Sequence, residues 1–297
     1  MHSSRLLPLA CLLLVTWLTG CTAPSESTTS GLRSALLLHA SFDGKLDADF
    51  AVGDATLYTA PTGDRTKAVP GLPASNLVVH ALGQGRHGGA LQFTKKMRPT
   101  VFFKGERNLG YVSNGWSGAV SCWMRLNADK DLEPGYCDPL QFVGQDWDEG
   151  NMFLEFSKDH APRHFRYAMQ PQKKSWNPSN KNWEAFADHE RPMVAVKRPV
   201  FSQDRWTHVV FCFSGVNSGK KDGWGRLYLD GQDQGAFTDW NLVFNWDESR
   251  SALTLGLSYI GGLDDVAVFN RPLTGAEVIA LHGLQNGVRE LDPAVGR

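Results

Sequence analysis

The sequence lacks several features that would assign it to a common functional class. Its 297 residues carry 30 lysines and arginines against 31 aspartates and glutamates, so the formal net charge is -1. No global field therefore attracts nucleic acid or an anionic membrane surface. The motifs G-x-S-x-G and H-E-x-x-H are missing, and so is a glycine-rich loop that cradles phosphate. These absences give no support to nucleic-acid binding, to serine or zinc hydrolysis, or to nucleotide binding.

A hydrophobic run long enough to span a bilayer is lacking at the N-terminus. Arg5 precedes an apolar run over residues 6–18, whereas a helix needs roughly 20 apolar residues to cross a hydrocarbon core of about 30 Å. A basic residue followed by a short apolar run is typical of a signal peptide, which we predict at residues 1–20. The chain is therefore expected to be exported.

Cys21 directly follows the small residues Thr19 and Gly20. This arrangement resembles the bacterial lipoprotein signal, in which the cysteine becomes the first residue of the mature chain and carries the lipid. The resemblance implies that Cys21 anchors the protein to the cell envelope and is its only membrane contact; the alternative is a plain secretory signal with an incidental cysteine. Thr22 follows rather than aspartate, which favours the outer envelope. Residues 21–33 are rich in serine and threonine, and we interpret them as a solvated tether.

The clearest strand pattern lies in residues 205–231, which read as a strand, a polar loop and a returning strand closed by an Asp-Gly turn. Side chains alternate along a strand, so the two faces of the first strand carry Val209, Phe211 and Phe213 on one side and His208, Val210 and Cys212 on the other. Both faces are largely apolar. Such a strand belongs in the middle of a sheet that packs against other layers.

Further strand patterns run the length of the chain and end in one helix. Thr274 and Glu277 form a capping box, which predicts a short helix over residues 275–282 that stops at Gly283. No internal repeat or second domain is evident. The other strand patterns lie at residues 36–44, 85–93, 118–126, 151–157, 164–169, 253–257 and 263–269.

These pieces resemble, in order, the laminin-G-like, concanavalin A-like jelly rolls. The motifs on which this resemblance rests are R-W-T-H-V-V-F-C-F-S-G at 205–215, G-R-L-Y-L-D-G at 225–231 and G-L-D-D-V-A-V-F-N-R-P-L at 262–273. The resemblance implies an all-β fold, a two-sheet antiparallel jelly-roll sandwich with one short C-terminal helix. We place this domain at residues 34–284, with an insertion at 170–201 and a C-terminal tail at 285–297.

Three cysteines remain after the predicted lipid site: Cys122, Cys137 and Cys212. Export makes disulfides permissible. Pentraxins, relatives in this fold, link the two strands that correspond to those of Cys122 and Cys212, so the resemblance implies a disulfide between these two residues. The alternative is three buried thiols.

Calcium is the inorganic partner that the resemblance implies. Sandwiches of this type often carry a structural ion where the first and last strands meet, and Asp43 and Asp264 match those positions. Carboxylate oxygens suit calcium. The alternative is that Asp43 belongs to a turn and Asp264 caps a strand edge. A second acidic patch could hold calcium or form a solvated turn; it comprises Asp146, Asp148, Glu149 and Asn151.

Catalysis finds little support in the sequence. Laminarinase-type glucanases share the fold and place two carboxylates about 5 Å apart for a retaining mechanism, using an E-x-D-x-x-E run on one strand. That run is missing here, and Glu155 stands alone in its strand. We therefore predict a protein that is not an enzyme.

The insertion at 170–201 is the best candidate for a ligand site, because long irregular connections in compact domains are more often functional than accidental. Tryptophans present flat apolar faces and an N–H donor that suit sugar rings. Between residues 160 and 200 there are eight lysines and arginines against three acids, which favours an anionic glycan. Simple docking of the insertion onto the sheet is the alternative. The candidate ligand-binding residues are Trp147, Lys173, Lys174, Trp176 and Trp183.

The sequence thus predicts non-catalytic recognition of an extracellular polysaccharide by an envelope lipoprotein, and the local basic excess favours an anionic one. A protein–protein or structural adhesion module is the second hypothesis, since laminin-G-like domains also bind proteins, and the partner is then an envelope or extracellular protein. A glycan-active enzyme is the third.

Overall fold

The computed structural model describes residues 26–292. The predicted signal peptide and Cys21 lie outside the described residues. Within the described part of the chain, no helix is long and apolar enough to cross a membrane.

The described chain forms strands and a few short helices. The strands are β1 (Leu36–Ala40), β2 (Phe50–Ala51), β3 (Leu57–Ala60), β4 (Val69–Pro70), β5 (Val78–His80), β6 (Leu91–Phe93), β7 (Thr100–Lys104), β8 (Trp116–Arg125), β9 (Cys137–Val143), β10 (Asn151–Phe156), β11 (Phe165–Gln170), β12 (Met193–Val196), β13 (Thr207–Val216), β14 (Gly223–Leu229), β15 (Gln232–Trp240), β16 (Ala252–Leu257) and β17 (Gly261–Phe269). The helices are α1 (Glu26–Ala35), α2 (Ala128–Asp131), α3 (Lys173–Trp176) and α4 (Gly275–His282). Short 3-10 segments occur at Arg65–Lys67, Trp147–Glu149, Trp183–Ala185, Asp188–Glu190, Glu248–Arg250 and Gly287–Leu291.

The strands form two antiparallel sheets, as the sequence predicts. Sheet A has the order β15-β14-β13-β8-β17-β1-β2, with β6 and β5 continuing from β17. Sheet B has the order β12-β11-β10-β9-β16-β7-β3-β4. Strand β13 lies inside sheet A between β8 and β14. The all-β jelly-roll prediction is therefore confirmed.

The main core lies between the sheets and follows the alternation read from the sequence. Val209, Phe211 and Phe213 of β13 are buried there together with Trp116 and Phe142. The Trp116 and Phe213 ring centroids lie 4.7 Å apart, edge to face. Each fully buried aromatic side chain of this kind contributes about 1.5–3 kcal/mol to the free energy of folding.

A second apolar cluster covers the outer face of sheet A. Val210 and Cys212 of β13 pack with Leu32 of α1 and with Val278 and Leu281 of α4. The capping box of α4 is present, since Thr274 Oγ1 accepts from Glu277 N at 3.2 Å and Glu277 Oε2 accepts from Thr274 N at 2.8 Å. The predicted helix therefore forms over the predicted residues.

Both predicted ends of the domain need revision. Residues 26–33 of the expected tether belong to α1, because burying Leu32 against sheet A stabilises a helix that the Ser/Thr-rich sequence does not favour. Within the expected tail, residues 285–292 pack on the domain, with Leu291 fully buried. His39 of β1 forms hydrogen bonds with Asp292 in this segment and with Asp265 of β17, each at 2.8 Å between the ring nitrogen and the carboxylate oxygen. These bonds tie the C-terminal segment to sheet A.

The cysteines are free thiols, so the predicted disulfide between Cys122 and Cys212 is wrong. Cys122 lies opposite Val209 in the β8–β13 pairing and faces the core between the sheets. Cys212 is three residues beyond Val209 and therefore faces the other side of sheet A, beneath α4. Two side chains on opposite faces of one sheet do not meet.

The insertion is more structured than expected. It contains α3 and two 3-10 turns, and it ends in β12, which pairs with β11 at the edge of sheet B. Residues 171–192 thus leave sheet B at the end of β11 and return to it one strand further out.

Candidate functional site

A groove opens at one end of sheet B, between the insertion and the turn that joins β9 to β10. Its volume is about 440 Å³. Trp147 comes from the turn, while Lys173, Trp176 and Trp183 come from the insertion, so four of the five predicted ligand residues line one groove. We call it the tryptophan groove. The fifth, Lys174, lines an adjoining depression with Glu149 and Pro178.

The tryptophan rings rest on one another and on the sheet. Phe153 points outward from β10, and its ring centroid lies 5.8 Å from that of Trp147 and 6.3 Å from that of Trp183. Trp176 packs 5.7 Å from Trp183 and 4.9 Å from Phe186. Trp147 is 43% exposed. The rings are therefore held in place by packing while Trp147 presents its face to solvent.

Asparagines fix the backbone of the insertion. Asn177 bonds both ways with Lys181, its Nδ2 donating to the carbonyl and its Oδ1 accepting from the amide N–H, each at 2.9 Å. Asn180 adopts a left-handed φ of 53°, which asparagine tolerates better than most residues. Asn182 Oδ1 accepts from Glu184 N at 3.0 Å and caps the 3-10 turn that carries Trp183. The groove wall is thus preorganised by local side-chain hydrogen bonds.

Glu184 ties the insertion to sheet B. Its carboxylate accepts from Arg166 Nη2 at 2.9 Å and from Arg191 Nη1 at 3.2 Å. The Tyr136 hydroxyl donates to the same carboxylate at 3.2 Å. Burial alone would raise the pKa of Glu184, but the hydrogen bonds and charges of the two arginines outweigh burial and lower it. The carboxylate therefore stays charged and bridges sheet and insertion.

A buried carboxyl pair lies beneath this anchor, and the sequence analysis missed it. Glu155 has Arg166 Nε 2.8 Å from its Oε1, although the atoms are not aligned as a hydrogen bond. Asp138 accepts from Gln141 Nε2 at 2.7 Å. Burial raises the pKa of both carboxyl groups, and the charge of Arg166 opposes both shifts. The negative charge of Asp138 further raises the pKa of Glu155. Neither residue lines the tryptophan groove, so as placed they do not reach a bound ligand.

Glu155 thus does not stand alone, contrary to our interpretation of its strand. The sequence feature that could have indicated this pair is the alternation of polar residues on the outer face of three neighbouring strands. Only the register of β9 against β10, however, brings Asp138 beside Glu155.

Charge in the groove is more balanced than the sequence count suggests. Lys173 pairs with Asp148 at 3.1 Å, and Lys181 lies 3.6 Å from Glu190. Arg166 and Arg191 are buried anchors of Glu184. Most of the lysines and arginines counted in this region therefore make contacts within the protein and are not free to bind a ligand.

Asp43, one of the two predicted calcium ligands, has both carboxylate oxygens engaged. Oδ1 accepts from Gly89 N at 2.9 Å, and Oδ2 pairs with the guanidinium of Arg289. Arg289 belongs to the segment that we expected to be a free tail.

Asp264, the other predicted ligand, is fully buried. Its Oδ2 accepts from Arg86 N at 2.6 Å and His87 N at 3.0 Å, whereas Oδ1 has no hydrogen-bond partner. Burial and the negative charge of Asp265 raise the pKa of Asp264 to about 8. Residues 26–292 contain no group of three His, Cys, Asp or Glu side chains placed to hold a metal. Calcium takes about six to eight oxygens, and with Asp43 paired to Arg289 and Asp264 Oδ2 already bonded to two backbone N–H groups, the residues present do not fit it.

The second acidic patch forms a capped turn. Asp146 Oδ1 accepts from Asp148 N at 3.0 Å, and Asn151 Nδ2 donates to Trp147 O at 2.9 Å. Glu149 Oε2 accepts from Gln172 Nε2 at 2.7 Å. These side chains shape the turn that presents Trp147, which agrees with the turn interpretation.

A family model matches residues 107–279, more than half of the chain. The model is Laminin_G_3, of the concanavalin A-like lectin/glucanases superfamily. No curated protein sequence matches the chain significantly.

Solved structures share the fold at low sequence identity. One is domain 4 of AbnA, an extracellular arabinanase from Geobacillus stearothermophilus, in complex with arabinotriose, with 16% identity, a TM-score of 0.51 and coverage of 82% of this chain and 98% of that one. Another is the botulinum neurotoxin serotype D ligand-binding domain with N-acetylneuraminic acid, with 10% identity, a TM-score of 0.54 and coverage of 87% and 53%. A third is the binding domain of Paraclostridial Mosquitocidal Protein 1, with 14% identity, a TM-score of 0.54 and coverage of 84% and 52%. The chain spans about half the length of the two toxin chains.

Proposed function

Since the chain belongs to the Laminin_G_3 family of concanavalin A-like lectins and glucanases, we propose that it binds an extracellular polysaccharide in the tryptophan groove. The observation that carries the proposal is the convergence of Trp147, Trp176 and Trp183 with amide side chains around one groove. Aromatic faces cover the apolar faces of sugar rings, and amide groups bond to hydroxyls at the ring edge. Two of the structural relatives were solved with sugars bound, arabinotriose and N-acetylneuraminic acid.

The groove is suited to binding rather than bond cleavage. Its lining includes one carboxylate, Asp148, which is paired with Lys173 at 3.1 Å. A retaining glycosidase needs two carboxylates about 5 Å apart on either side of the scissile bond. Asp138 and Glu155 are close together but are buried beneath the insertion. We therefore propose a non-catalytic module, and release of new reducing ends from a bound polysaccharide would contradict this.

The module is proposed to act at the cell envelope, held by a lipid on Cys21. The support is the sequence of residues 1–21, and metabolic labelling with a fatty-acid analogue tests it. Label should appear in the wild-type protein and be lost in Cys21→Ala, while label retained by the variant would remove the anchor from the proposal.

The test of glycan binding compares tryptophans inside and outside the groove. Trp147→Ala should weaken binding of a polysaccharide found on a glycan array by about tenfold, equivalent to about 1.4 kcal/mol. Trp147 is 43% exposed and its ring packs on that of Phe153 at the surface of sheet B, so the variant should fold. Trp206→Ala is the matched control, since Trp206 is partly buried against Arg125 outside the groove. Equal affinity of both variants and the wild type, measured by calorimetry, would remove the groove as the ligand site.

A further inference from the structure

A second cavity lies on the outer side of sheet B, between three loops. Its volume is about 320 Å³. The basic residues Arg65, Lys104 and Arg250 line it together with Gln145 and Ser249, and we call it the arginine pocket. No sequence pattern marks these residues, because Arg65 and Arg250 are 185 positions apart and carry no local motif.

The two guanidinium groups of the arginine pocket are not paired with a carboxylate of the described residues. Among the described residues, neither Arg65 nor Arg250 forms an ion pair with a carboxylate, and only Lys104 does, with Asp54 at 3.1 Å. The one acid in the lining, Asp64, accepts instead from the Thr66 N–H and hydroxyl. Two uncompensated guanidinium groups in one cavity favour the entry of an anion.

The guanidinium of Arg65 is fixed in position. Its Nη2 donates to the carbonyl oxygens of Gly144 and, at 2.8 Å, of Arg250. Burial lowers the pKa of Arg65, and the positive charge of Arg250 lowers it further. The structure thus holds two like charges near each other, an arrangement that a bound oxyanion would stabilise.

The floor of the arginine pocket is aromatic. Phe102 points outward from β7 and lines the cavity. Its ring stacks on that of Tyr58, with centroids 5.8 Å apart, and Lys104 Nζ lies 4.6 Å from the Tyr58 centroid. Phe102 is only 3% exposed, so it closes the cavity as a packed wall, and the basic groups supply the ligand contacts.

The strand register places both sites along the same end of sheet B. Residues facing one another across successive strands are Gln170, Asn151, Val143, Ala252 and Lys104. Gln170 lines the tryptophan groove and Lys104 lines the arginine pocket. Four strand spacings of about 4.8 Å separate them, or about 19 Å. All five side chains point to the outer face, because they alternate with residues of the inter-sheet core.

We propose that the arginine pocket binds a carboxylate or sulfate group of the same polysaccharide chain whose rings occupy the tryptophan groove. The ligand is then an anionic glycan that extends across at least about 19 Å of the sheet end. This inference rests on the proposed function and adds the charge class and minimum length of the ligand.

The experiment uses the exported chain and four commercial polymers: pectate, its fully methyl-esterified form, dextran sulfate and dextran. The two anionic polymers separate a carboxylate from a sulfate as the recognised group. The variants are Arg250→Gln, Arg65→Gln/Arg250→Gln and Trp147→Ala. Arg198→Gln is the control, because Arg198 is exposed and lines neither site.

The wild type should bind one anionic polymer at least tenfold more tightly than its uncharged counterpart, with affinity that falls as salt rises. Arg250→Gln should lose about tenfold for that polymer, and the double variant should also lose most of the salt dependence. Oligomers too short to span both sites should bind the wild type more weakly than the polymer does, with a smaller difference in affinity between the wild type and the double variant. Thermal midpoints identify any variant that fails to fold. If the double variant does not fold, the affinity of Arg250→Gln decides the result, because this variant keeps the backbone carbonyl that accepts from Arg65.

Three outcomes overturn the inference: neither anionic polymer binds the wild type better than its neutral form, the arginine variants retain wild-type affinity, or Arg198→Gln loses as much as they do. Loss in Trp147→Ala without loss in the arginine variants leaves the proposed function standing and removes the arginine pocket. Loss in the arginine variants without loss in Trp147→Ala removes the tryptophan groove instead.

Discussion

Single residues bear on whether this domain binds a metal. The resemblance to laminin-G-like domains implies calcium at Asp43 and Asp264, yet the Arg289 guanidinium pairs with Asp43. An arginine supplies positive charge and directed N–H donors to a carboxylate, so it can replace one function of a cation without binding one. We propose that Arg289 takes the place of the structural ion.

This proposal predicts a calcium response that depends on Arg289. Adding calcium should leave the thermal midpoint of the wild type unchanged, because a ligand raises it only by binding the folded state. Arg289→Gln uncovers Asp43, whose charge acts on Asp264 with its partnerless Oδ1, so this variant should gain thermal stability with calcium. Differential scanning calorimetry with and without calcium measures both.

The control is Asp43→Asn in the Arg289→Gln background, which should abolish the gain. A calcium-induced rise in the wild type as large as that in Arg289→Gln would contradict the proposal.

At the scale of elements, the insertion is a separately anchored unit on a rigid sheet. The Glu184 carboxylate forms an ion pair with Arg166 of β11. The same carboxylate pairs with Arg191, which lies at the far end of the insertion. Replacing the shared carboxylate should therefore loosen the groove wall without disturbing the core.

Glu184→Gln tests this anchor. The amide has one acceptor oxygen and no charge, so two guanidinium groups lose their common partner, at a cost of about 1.5–3 kcal/mol. Hydrogen exchange should quicken over residues 171–192 but stay unchanged in β13, and polysaccharide affinity should fall several-fold. Glu190→Gln is the control, because Glu190 is exposed and its 3.6 Å contact with Lys181 contributes little. The glutamine oxygen can still accept from the Ala187 N–H, as Glu190 Oε2 does at 2.8 Å. Exchange that quickens equally in β13 would show that the insertion is not a separate unit.

Local sequence patterns correctly predicted the elements whose formation depends on residues close together in the sequence. The apolar alternation of β13 and the capping box of α4 both appear where expected, because each depends on residues a few positions apart. Helix α1 was missed because its stability comes from burying Leu32 against distant strands. The tryptophan groove was predictable from composition in one insertion, whereas the Arg65–Arg250 pair depends on loops that only the fold brings together.

At the scale of the molecule, both ends of the described chain lie on one side and the candidate sites on the other. Helix α1 and the Gly287–Leu291 segment pack over sheet A. The tryptophan groove and the arginine pocket lie on sheet B. A lipid at Cys21, just before α1, would therefore hold the sheet A side toward the membrane and leave the grooves facing outward.

Buried ionisable groups on both sheets give the whole molecule a common pH response. Burial would lower the pKa of His39, but hydrogen bonds to Asp265 and Asp292 outweigh it and raise the pKa to about 10. The stability due to the His39 cation is complete below its ordinary value of about 6.5 and is lost as pH rises toward 10. Asp138 and Glu155 have raised pKa values because they are buried. Their ionisation in the folded state, above the ordinary carboxyl range, also lowers stability.

These three groups act in the same direction, as does buried Asp264, whose pKa is raised to about 8. The free energy of unfolding should therefore fall by a few kcal/mol between about pH 6 and about pH 10. Denaturant unfolding at a series of pH values measures this fall. Asp138→Asn keeps an oxygen for the Gln141 hydrogen bond but has no charge to gain, so it should flatten the profile near neutrality and leave the alkaline fall caused by His39. His39→Gln should remove that alkaline fall while lowering stability at about pH 6, because Asp265 and Asp292 then lose their shared cation. A wild-type profile that rises or stays level above about pH 7 would mean that these groups are not buried as described.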